Sequence, residues 1–570
     1  MMDHLDGSIP SRRQRISVLA RARRGSALLA LSAVILLASC SASEPEAPEI
    51  RVTLTPSAAN VHLMLSAQFT ATVRNSTNGA VTWSLSGAGC SGAECGTISD
   101  TGLYHAPAAL PDPATVTVRA AAVADPSKTA SATITILEGV NAWTWVSGSK
   151  FVNEQGTYGT KGAPSTDNIP RSRDSAVSWI DPQGKFWLFG GNSPGFLNDL
   201  WTFDPGTLEW TWISGKELTP SSPSSEYGSY GTKGVPSASN VPGARSNAVS
   251  WIDPQGDLWL LGGYGYASPG LGGFLNDLWK FDRTTRVWTW MSGSDLPDQA
   301  GVYGTKGASD PSNVPGARAN AVSWTDATGK LWLFGGNCYN SSSDIGVLSD
   351  LWRFDPGTLE WTWISGSDQL DQPASYGAKG VPSSANMPGA RYMAVSWIDA
   401  QNKLWLFGGT GFDPSGNIDV YGDLWSYDSL NSEWTWASGT NTPNQPGHYG
   451  VMGTPDPANE PGAKAYAVSW RDSQGKLWVS GGNSADGCMN DLWKFDPATG
   501  QWTWMSGSNA TFGPAHYGIR GAIDSANVPG PRKCAVSWID AQDRLWLFGG
   551  NGYVETGIEG RHNDLWRFIQ

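Results

Sequence analysis

Short apolar runs recur in a fixed order along the chain from residue 141 onward. One repeat, residues 243–290, holds four such runs separated by turn residues: NAVSW, DLWLLGG, NDLWKFD and VWTW. Consecutive apolar positions are typical of strands that are buried on both faces. The run Ala-Val-Ser-Trp comes back six times at spacings of 72, 73, 73, 73 and 68 residues, with its Trp at Trp179, Trp251, Trp324, Trp397, Trp470 and Trp538. The pattern predicts six units of four strands each.

The last repeat lacks one strand, and the missing strand is found at the other end of this region. The sixth repeat stops after its third run, at residues 563–568, and lacks the Trp-Thr-Trp run. That run stands ahead of the first repeat instead, at Trp143 and Trp145. A last sheet that takes its outer strand from the other end of the domain closes a ring without a free edge. We therefore expect a closed six-unit ring over residues 141–570.

The order of the four strands, with a double Gly closing the second, resembles the kelch motif of β-propellers. The resemblance implies an all-β fold, a six-bladed kelch β-propeller closed by an N-terminal outer strand. The chain holds 31 Trp, and the repeat count places all but Trp83 in these blades. Trp inside strands at equivalent positions indicates packing between blades, although a Trp stripe can also form a sugar-stacking platform.

Residues 51–138 show a different pattern, in which β-branched residues alternate with polar ones between Gly, Pro and Asn. This pattern predicts a small β-sandwich. The segments VTWS (81–84) and GTISDTGLYHAP (96–107) resemble bacterial Ig-like domains, which mostly serve as spacers. Cys90 and Cys95 lie in one loop, and in an exported protein a local disulfide between them is expected.

The first 39 residues read as a targeting segment. A region with six Arg precedes the apolar run ALLALSAVILLA (27–38), which is too short to span a bilayer. The ending Leu-Ala-Ser-Cys40 resembles the lipobox of bacterial lipoproteins, in which the Cys is acylated. We expect an exported protein with a lipid anchor on Cys40, on the outer membrane because Ser41 follows, and a tether over residues 40–50. The alternative is ordinary signal cleavage near an unrelated Cys.

Charge excludes one class of partner. The net charge is −13, and a nucleic-acid-binding protein would need a basic surface instead.

Loop lengths locate the expected binding surface. Turns after the first and third strands are tight, whereas the two-to-three loops and the connections between blades are long and vary. Both long segments lie at one end of the ring because successive strands alternate in direction. We call this end the long-loop face and expect it to bind a glycan or a protein.

Two sets of residues are candidates on the long-loop face. The first is a ring of cations three residues before each Ala-Val-Ser-Trp, which either attracts anions or pairs with repeated Asp such as Asp199, Asp277 and Asp350: Arg173, Arg245, Arg318, Arg391, Lys464 and Arg532. The second set consists of loop aromatics, which either stack on a ligand or anchor the loops: Phe196, Tyr264, Tyr266, Phe274, Tyr339, Phe412, Tyr421 and Tyr553.

Catalysis is the main alternative to binding. Kelch-type propellers include galactose oxidase, a copper enzyme that needs two His, a Tyr and a Tyr–Cys pair, and here only His448 and His516 occupy equivalent positions. No cofactor or metal is expected, since the Tyr–Cys context does not match. Enzymatic action on a polysaccharide and a purely structural envelope role remain open. Cys488 and Cys534 lie in adjacent repeats and could pair, which would leave Cys338 free.

Overall fold

The computed structural model of the protein describes residues 48–63, 66–107, 110–137, 141–217 and 226–570. Strands make up its regular structure, and within these ranges the only helical element is the 3-10 turn Gly92–Cys95. In the same ranges no helix is long and apolar enough to cross a membrane. Cys40 and the rest of the targeting segment lie outside the described residues.

The described residues from 141 onward form six antiparallel blades arranged in a ring. The inner strands carry the repeated Val-Ser-Trp: Val177–Ile180, Val249–Ile252, Val322–Thr325, Val395–Ile398, Val468–Arg471 and Val536–Ile539. The second strands follow after tight turns: Phe186–Phe189, Leu258–Tyr266, Leu331–Phe334, Leu404–Phe407, Leu477–Ser480 and Leu545–Phe548.

A third strand and an outer strand complete each blade. The third strands are Leu200–Asp204, Gly272–Asp282, Leu351–Asp355, Leu424–Asp428, Leu492–Asp496 and Leu565–Ile569. The outer strands of blades 1 to 5 are Glu209–Ser214, Val287–Ser292, Glu360–Ser365, Glu433–Ser438 and Gln501–Ser506. Blade 6 uses Ala142–Ser147, which pairs with Leu565–Ile569 so that Trp143 lies opposite Phe568. The predicted closure by an N-terminal outer strand is confirmed.

Hydrogen bonds between blades close the ring a second time. The indole N–H of each inner-strand Trp donates to the carbonyl oxygen of a second-strand Trp in the next blade, as Trp179 does to Trp259 at 3.1 Å. Each inner-strand Ser donates to the corresponding Ser carbonyl of the preceding blade, as Ser250 does to Ser178. Both circuits run through all six blades. The repeated Ser and Trp therefore fix the angle between neighbouring blades.

The two Trp of the outer-strand run have different surroundings. The first is buried against an aromatic residue of the third strand, as Trp210 is against Phe203 with ring centroids 4.9 Å apart. The second, such as Trp212, is half-buried and covered by a Lys of the blade connection, with Lys161 Nζ 4.3 Å from its ring. The first Trp is therefore a buried part of the packing between blades, whereas the second lies at the border of the same cluster and also contacts the blade connection.

Short strands also form in the two-to-three loops and in the connections between blades. The two-to-three loops are β-hairpins: Asn192–Ser193 with Gly195–Phe196, Asn337–Tyr339 with Ile345–Val347, Thr410–Phe412 with Ile418–Val420, Asn483–Ser484 with Gly487–Cys488, and Asn551–Tyr553 with Glu559–Arg561. In blade 2 the hairpin is a continuation of Leu258–Tyr266 and Gly272–Asp282. Short segments of the blade connections also pair as strands: Arg245–Ser246, Ser309–Asp310, Arg318–Ala319, Arg391–Tyr392 and Arg532–Lys533.

The N-terminal region is a separate small β-domain with its own core of residues such as Phe69, Tyr104 and Ile134. Its strands are Arg51–Thr55, Ala58–His62, Ser66–Gln68, Thr70–Arg74, Val81–Ser86, Thr97–Ile98, Leu103–His105, Thr115–Ala122 and Thr129–Leu137. Cys90 and Cys95 are joined by a disulfide in this structure. The likeness of the domain to bacterial Ig-like domains stays a prediction.

Candidate binding face of the propeller

The six cations that precede the inner strands are buried. Arg245 is 1% exposed, and its guanidinium makes two hydrogen bonds to the Asp277 carboxylate at 2.6 and 2.8 Å. The same pairing occurs in every blade: Arg173 with Asp199, Arg318 with Asp350, Arg391 with Asp423, Lys464 with Asp491 and Arg532 with Asp564. The pairing interpretation therefore accounts for these residues.

Each pair belongs to a larger polar cluster. Asp277 also accepts hydrogen bonds from the Tyr230 hydroxyl and from the Trp279 indole N–H. In blade 1, burial alone would favour the neutral carboxyl, but the Arg173 charge holds the pKa of Asp199 below its usual range. A carboxylate with this many donors is fully satisfied and fixes the blade connection to the third strand.

The assignment of these six cations to a ligand-contacting surface needs correction. None of the six side chains is more than 3% exposed, and Asp partners offset their charges. A buried, neutralised ion pair presents no charge to a ligand in solution. The long-loop face thus has no anion-attracting ring built from these residues.

Six aromatic side chains form a continuous strip across blades 1 to 3. Tyr264 and Phe274 are directly paired across the blade 2 hairpin, with ring centroids 5.1 Å apart. Neighbouring rings along the strip lie 5.1 to 6.1 Å apart in edge-to-face arrangements, in the order Tyr227, Tyr266, Phe196, Tyr264, Phe274 and Tyr339. We call this set the aromatic strip.

The aromatic strip is open to solvent and has an apolar border. Tyr227 and Tyr264 are each 43% exposed, and the other four rings are half-buried. Ile345, the cross-strand partner of Tyr339, is 56% exposed. Leu271 at the tip of the blade 2 hairpin and Leu296 in the next connection are also exposed. A row of contacting aromatic rings with exposed apolar side chains on the same loops is typical of an interaction site.

Acidic residues surround the strip. The connections and hairpins of blades 2 and 3 that flank it, residues 264–275, 293–303, 337–348 and 366–376, contain no Lys or Arg. They contain five aspartates: Asp295, Asp298, Asp344, Asp368 and Asp371. Burial and the nearby Asp298 raise the pKa of Tyr339, which therefore keeps its hydroxyl proton. The blade 2 and 3 end of the strip therefore lies in a negative local environment, whereas at the Tyr227 end Lys216 pairs with Glu226.

The remaining aromatic candidates do not join the strip. Tyr421 is buried, and the Arg391 guanidinium lies 5.3 Å from its ring. Phe412 is half-buried on the blade 4 hairpin opposite Ile418. Tyr553, on the blade 6 hairpin, contacts the Phe512 ring at 5.1 Å. The structure thus groups Tyr264, Tyr266 and Tyr339 and leaves these three apart.

A closed circle of backbone hydrogen bonds at the start of the inner strands was not predicted from the sequence. In each blade, the residue two positions after the cation has a positive φ, and the six values lie between 56 and 63°. Each N–H donates to the carbonyl of its counterpart in the preceding blade at 2.8 to 3.0 Å, which makes a closed circle: Ser175, Asn247, Asn320, Met393, Tyr466 and Cys534. The variability of this position inside an otherwise constant motif was the available signal. Tyr227 was also missed, because it precedes the blade 2 repeat without a motif.

In the part of the chain that the structure describes, the candidate His and Cys residues of the propeller form neither a metal site nor a disulfide. His448 is exposed on the connection into blade 5, and His516 Nδ1 lies 3.3 Å from Glu555 on the blade 6 side. No group of three or more His, Cys, Asp or Glu in the described ranges could hold a metal ion. Cys338, Cys488 and Cys534 are free thiols, so the pairing of Cys488 with Cys534 is not formed.

Two comparisons with known proteins found similarities to this chain. Residues 160–378 match the family model described as the KLHDC2/KLHL20/DRC7 Kelch-repeats domain. The solved structure titled "Structure of YjhT" is similar at 15% identity, covering 70% of this chain and 98% of that chain, with a TM-score of 0.42. No curated protein matches the chain. Together, the blade topology and the family match show a kelch β-propeller, a fold that serves binding or scaffold roles.

Proposed function

We propose that the protein binds another protein through the aromatic strip on the long-loop face. The observation that carries this proposal is the continuity of six rings over three blades, with exposed Leu and Ile at the border. Tyr and Phe with an apolar border resemble the centre of a protein interface. Neighbouring rings lie edge to face, so they do not share one plane along which an extended glycan could stack, which favours a protein over a glycan.

The acidic surroundings narrow the chemistry of the partner. The five aspartates at the blade 2 and 3 end of the strip, in segments that contain no Lys or Arg, favour a partner whose contact surface presents Lys or Arg among apolar side chains. Arg can also stack on the Tyr faces. Complementary charge mainly accelerates association and is weakened by salt. Binding is therefore expected to fall as ionic strength rises.

We further propose that acylated Cys40 holds the protein on the outer membrane. The tether and the small β-domain would then act as a spacer that raises the propeller above the bilayer. Two or more acyl chains are enough for stable anchoring.

Matched hairpin variants test the proposed binding. Tyr339 and Phe412 occupy equivalent hairpin positions in blades 3 and 4, each opposite an exposed Ile, but only Tyr339 belongs to the strip. Purified protein immobilised on beads is incubated with envelope extract, and captured proteins are quantified by mass spectrometry. Specific capture is expected to fall at least tenfold in Tyr264→Ala and Tyr339→Ala, but not in Phe412→Ala.

Two outcomes would overturn the proposal. Capture that is equal for all three variants and the parent protein would show that the strip does not bind the captured proteins. A glycan array that yields a binder lost in Tyr264→Ala would identify the strip as a carbohydrate site instead.

A further inference from the structure

One aromatic residue of the long-loop face has a backbone conformation that aromatic residues rarely adopt. Phe512, in the connection into blade 6, has a φ of 55° and is 51% exposed. The left-handed region is uncommon for residues other than Gly, and for a bulky side chain it is an outlier that costs conformational energy. Since half of the ring stays in water, burial offsets only part of this cost.

The equivalent residues of four other connections show which side chains suit this position. All four have φ values of 57 to 62°, and all are Asn or Asp, which tolerate this conformation: Asn153, Asp298, Asp371 and Asn444. Each donates its backbone N–H to the carbonyl of a hairpin residue and accepts the N–H of the same residue on its side-chain oxygen. We call these two bonds the hairpin clamp.

Phe512 makes only one of the two bonds of the hairpin clamp. Its N–H donates to the Cys488 carbonyl at 2.9 Å, but a phenyl ring has no acceptor for the Cys488 N–H. The ring lies instead over Gly487, where a Cβ would come within 2.3 Å of Phe512 Cζ. The blade 5 hairpin thus has a glycine where the ring needs room, and it lacks a hydrogen bond that four other hairpins have.

The Phe512 ring belongs to a second apolar surface on the long-loop face. It contacts the Tyr553 ring edge to face, with centroids 5.1 Å apart. Ile558, in the same hairpin as Tyr553, is 58% exposed. Residues 508–515 around Phe512 contain no charged side chain. We call Phe512, Tyr553 and Ile558 the blade 6 patch.

The blade 6 patch and the aromatic strip lie on either side of the connection into blade 1. That connection contains Phe151, which is 59% exposed. A specific protein interface buries about 800 Å² on each partner. The six rings of the strip, four of them half-buried, supply only part of such a surface, so a partner bound there has to contact neighbouring loops as well. The exposed apolar side chains lead from the strip towards blade 6.

We propose, building on the proposed function, that the blade 6 patch is a second contact site for the protein that binds the aromatic strip. Phe512 is its central side chain, since aromatic residues contribute most to the affinity of protein interfaces. The exchange of Asn or Asp for Phe weakens the hairpin clamp and places an aromatic ring on the binding face. Lower stability at a position that gains a contact is a common feature of functional sites.

Phe512→Asn separates binding from stability. The variant removes the ring and restores both bonds of the hairpin clamp, so it is expected to melt at a higher temperature than the parent protein. The partner is defined as the protein that the parent captures from envelope extract and Tyr264→Ala does not. Its capture by Phe512→Asn is expected to fall about tenfold, as the loss of one aromatic contact would cause.

Asn444→Phe is the matched control, because it makes the reverse exchange under the blade 4 hairpin. This variant is expected to melt at a lower temperature and to capture as much partner as the parent protein does. In a second experiment benzoylphenylalanine replaces Phe512. Irradiation is expected to give an adduct with the same partner, identified by mass spectrometry, and Tyr264→Ala in the same chain is expected to weaken this adduct.

Three results would overturn the second contact. Equal capture by Phe512→Asn and the parent protein would show that the ring does not contact the partner. A lower melting temperature of Phe512→Asn would give the ring a structural role. An adduct at position 512 with a lipid or with a second copy of this chain would assign the patch to another occupant.

The proposed function fails on a different result. Capture by Tyr264→Ala that equals that of the parent protein, or no capture by the parent protein, would overturn both the strip and the patch. Loss of capture in Tyr264→Ala without loss in Phe512→Asn would keep the strip as the binding site and remove the patch from it.

Discussion

The indole N–H of Trp538 donates to the carbonyl oxygen of Trp187 at 3.3 Å, although the two residues are 351 positions apart in the chain. This bond joins the last blade to the first, and the Ala142–Ser147 strand joins them again at the outer rim. The rigidity of the ring thus depends on residues at both of its ends. This rigid ring holds the hairpins of the long-loop face in fixed positions.

The closing strand provides the first prediction. Trp143 is 1% exposed and packs on Phe568, with ring centroids 5.2 Å apart. Trp143→Ala should lower the free energy of unfolding by about 3 to 5 kcal/mol, because it leaves a large cavity in the last blade. Denaturant unfolding measures this change. Trp145→Ala, which removes a half-buried ring two residues on, should cost clearly less, and equal losses would contradict the closure.

The buried ion pairs provide the second prediction. Arg318→Ala leaves the Asp350 carboxylate buried without its cation and should cost about 3 to 5 kcal/mol of stability. Arg318→Lys keeps the charge but loses two bonds to carbonyls, as blade 5 does, and should cost about 2 kcal/mol. Thermal unfolding of both variants checks that Arg318→Ala loses more stability than Arg318→Lys. The folded Arg318→Lys variant should capture as much partner as the parent protein does. A loss of capture would show that Arg318 contributes to the binding surface.

A buried histidine provides the third prediction. His562 is fully buried where blades 1 to 3 have Leu. Burial, with a further contribution from Arg532, lowers its pKa from 6.5 to about 4. The unfolded chain takes up the proton at higher pH than the folded protein does. The stability is therefore complete above pH 6.5 and falls as the pH drops from 6.5 towards about 4, by up to about 3 kcal/mol.

His562→Leu isolates this effect from that of the carboxylates. Urea unfolding at several pH values should show that the difference in stability between the two proteins changes by about 3 kcal/mol between pH 7 and pH 4. A difference that stays constant over this range would show that His562 is not held neutral by burial.

The lipid anchor provides the fourth prediction. Cys40→Ser should move the protein from the membrane fraction to the soluble fraction of cells and abolish the incorporation of labelled palmitate. A protein that stays in the membrane fraction without label incorporation would argue for a different mode of attachment.

Much of the fold could be predicted from the sequence, because each element is repeated six times. The Trp-Thr-Trp run at Trp143 indicated the closure, and the constant order of cation and Asp offered the pairing of Arg245 with Asp277 as one of two interpretations. A single short apolar run fits a buried strand or part of a buried helix, and its recurrence six times in the same order removes this ambiguity.

The candidate site could be predicted only in part, for a geometric reason. The aromatic strip joins residues of different blades, such as Phe196 and Tyr264, and their contact depends on hairpin length and on the angle between blades. Neither quantity is encoded in a local pattern. The circle of left-handed residues that includes Tyr466 depends on backbone conformation, which side-chain periodicity does not report.

Site-specific photo-crosslinking in living cells tests the central claim most directly. Benzoylphenylalanine replaces Tyr264 in the strip, and in a parallel strain it replaces Phe412 on the blade 4 hairpin. Our account predicts a discrete protein adduct on irradiation at position 264, weakened at high salt in isolated envelopes, and none at position 412. The absence of an adduct at 264, or adducts of equal intensity at both positions, would contradict it.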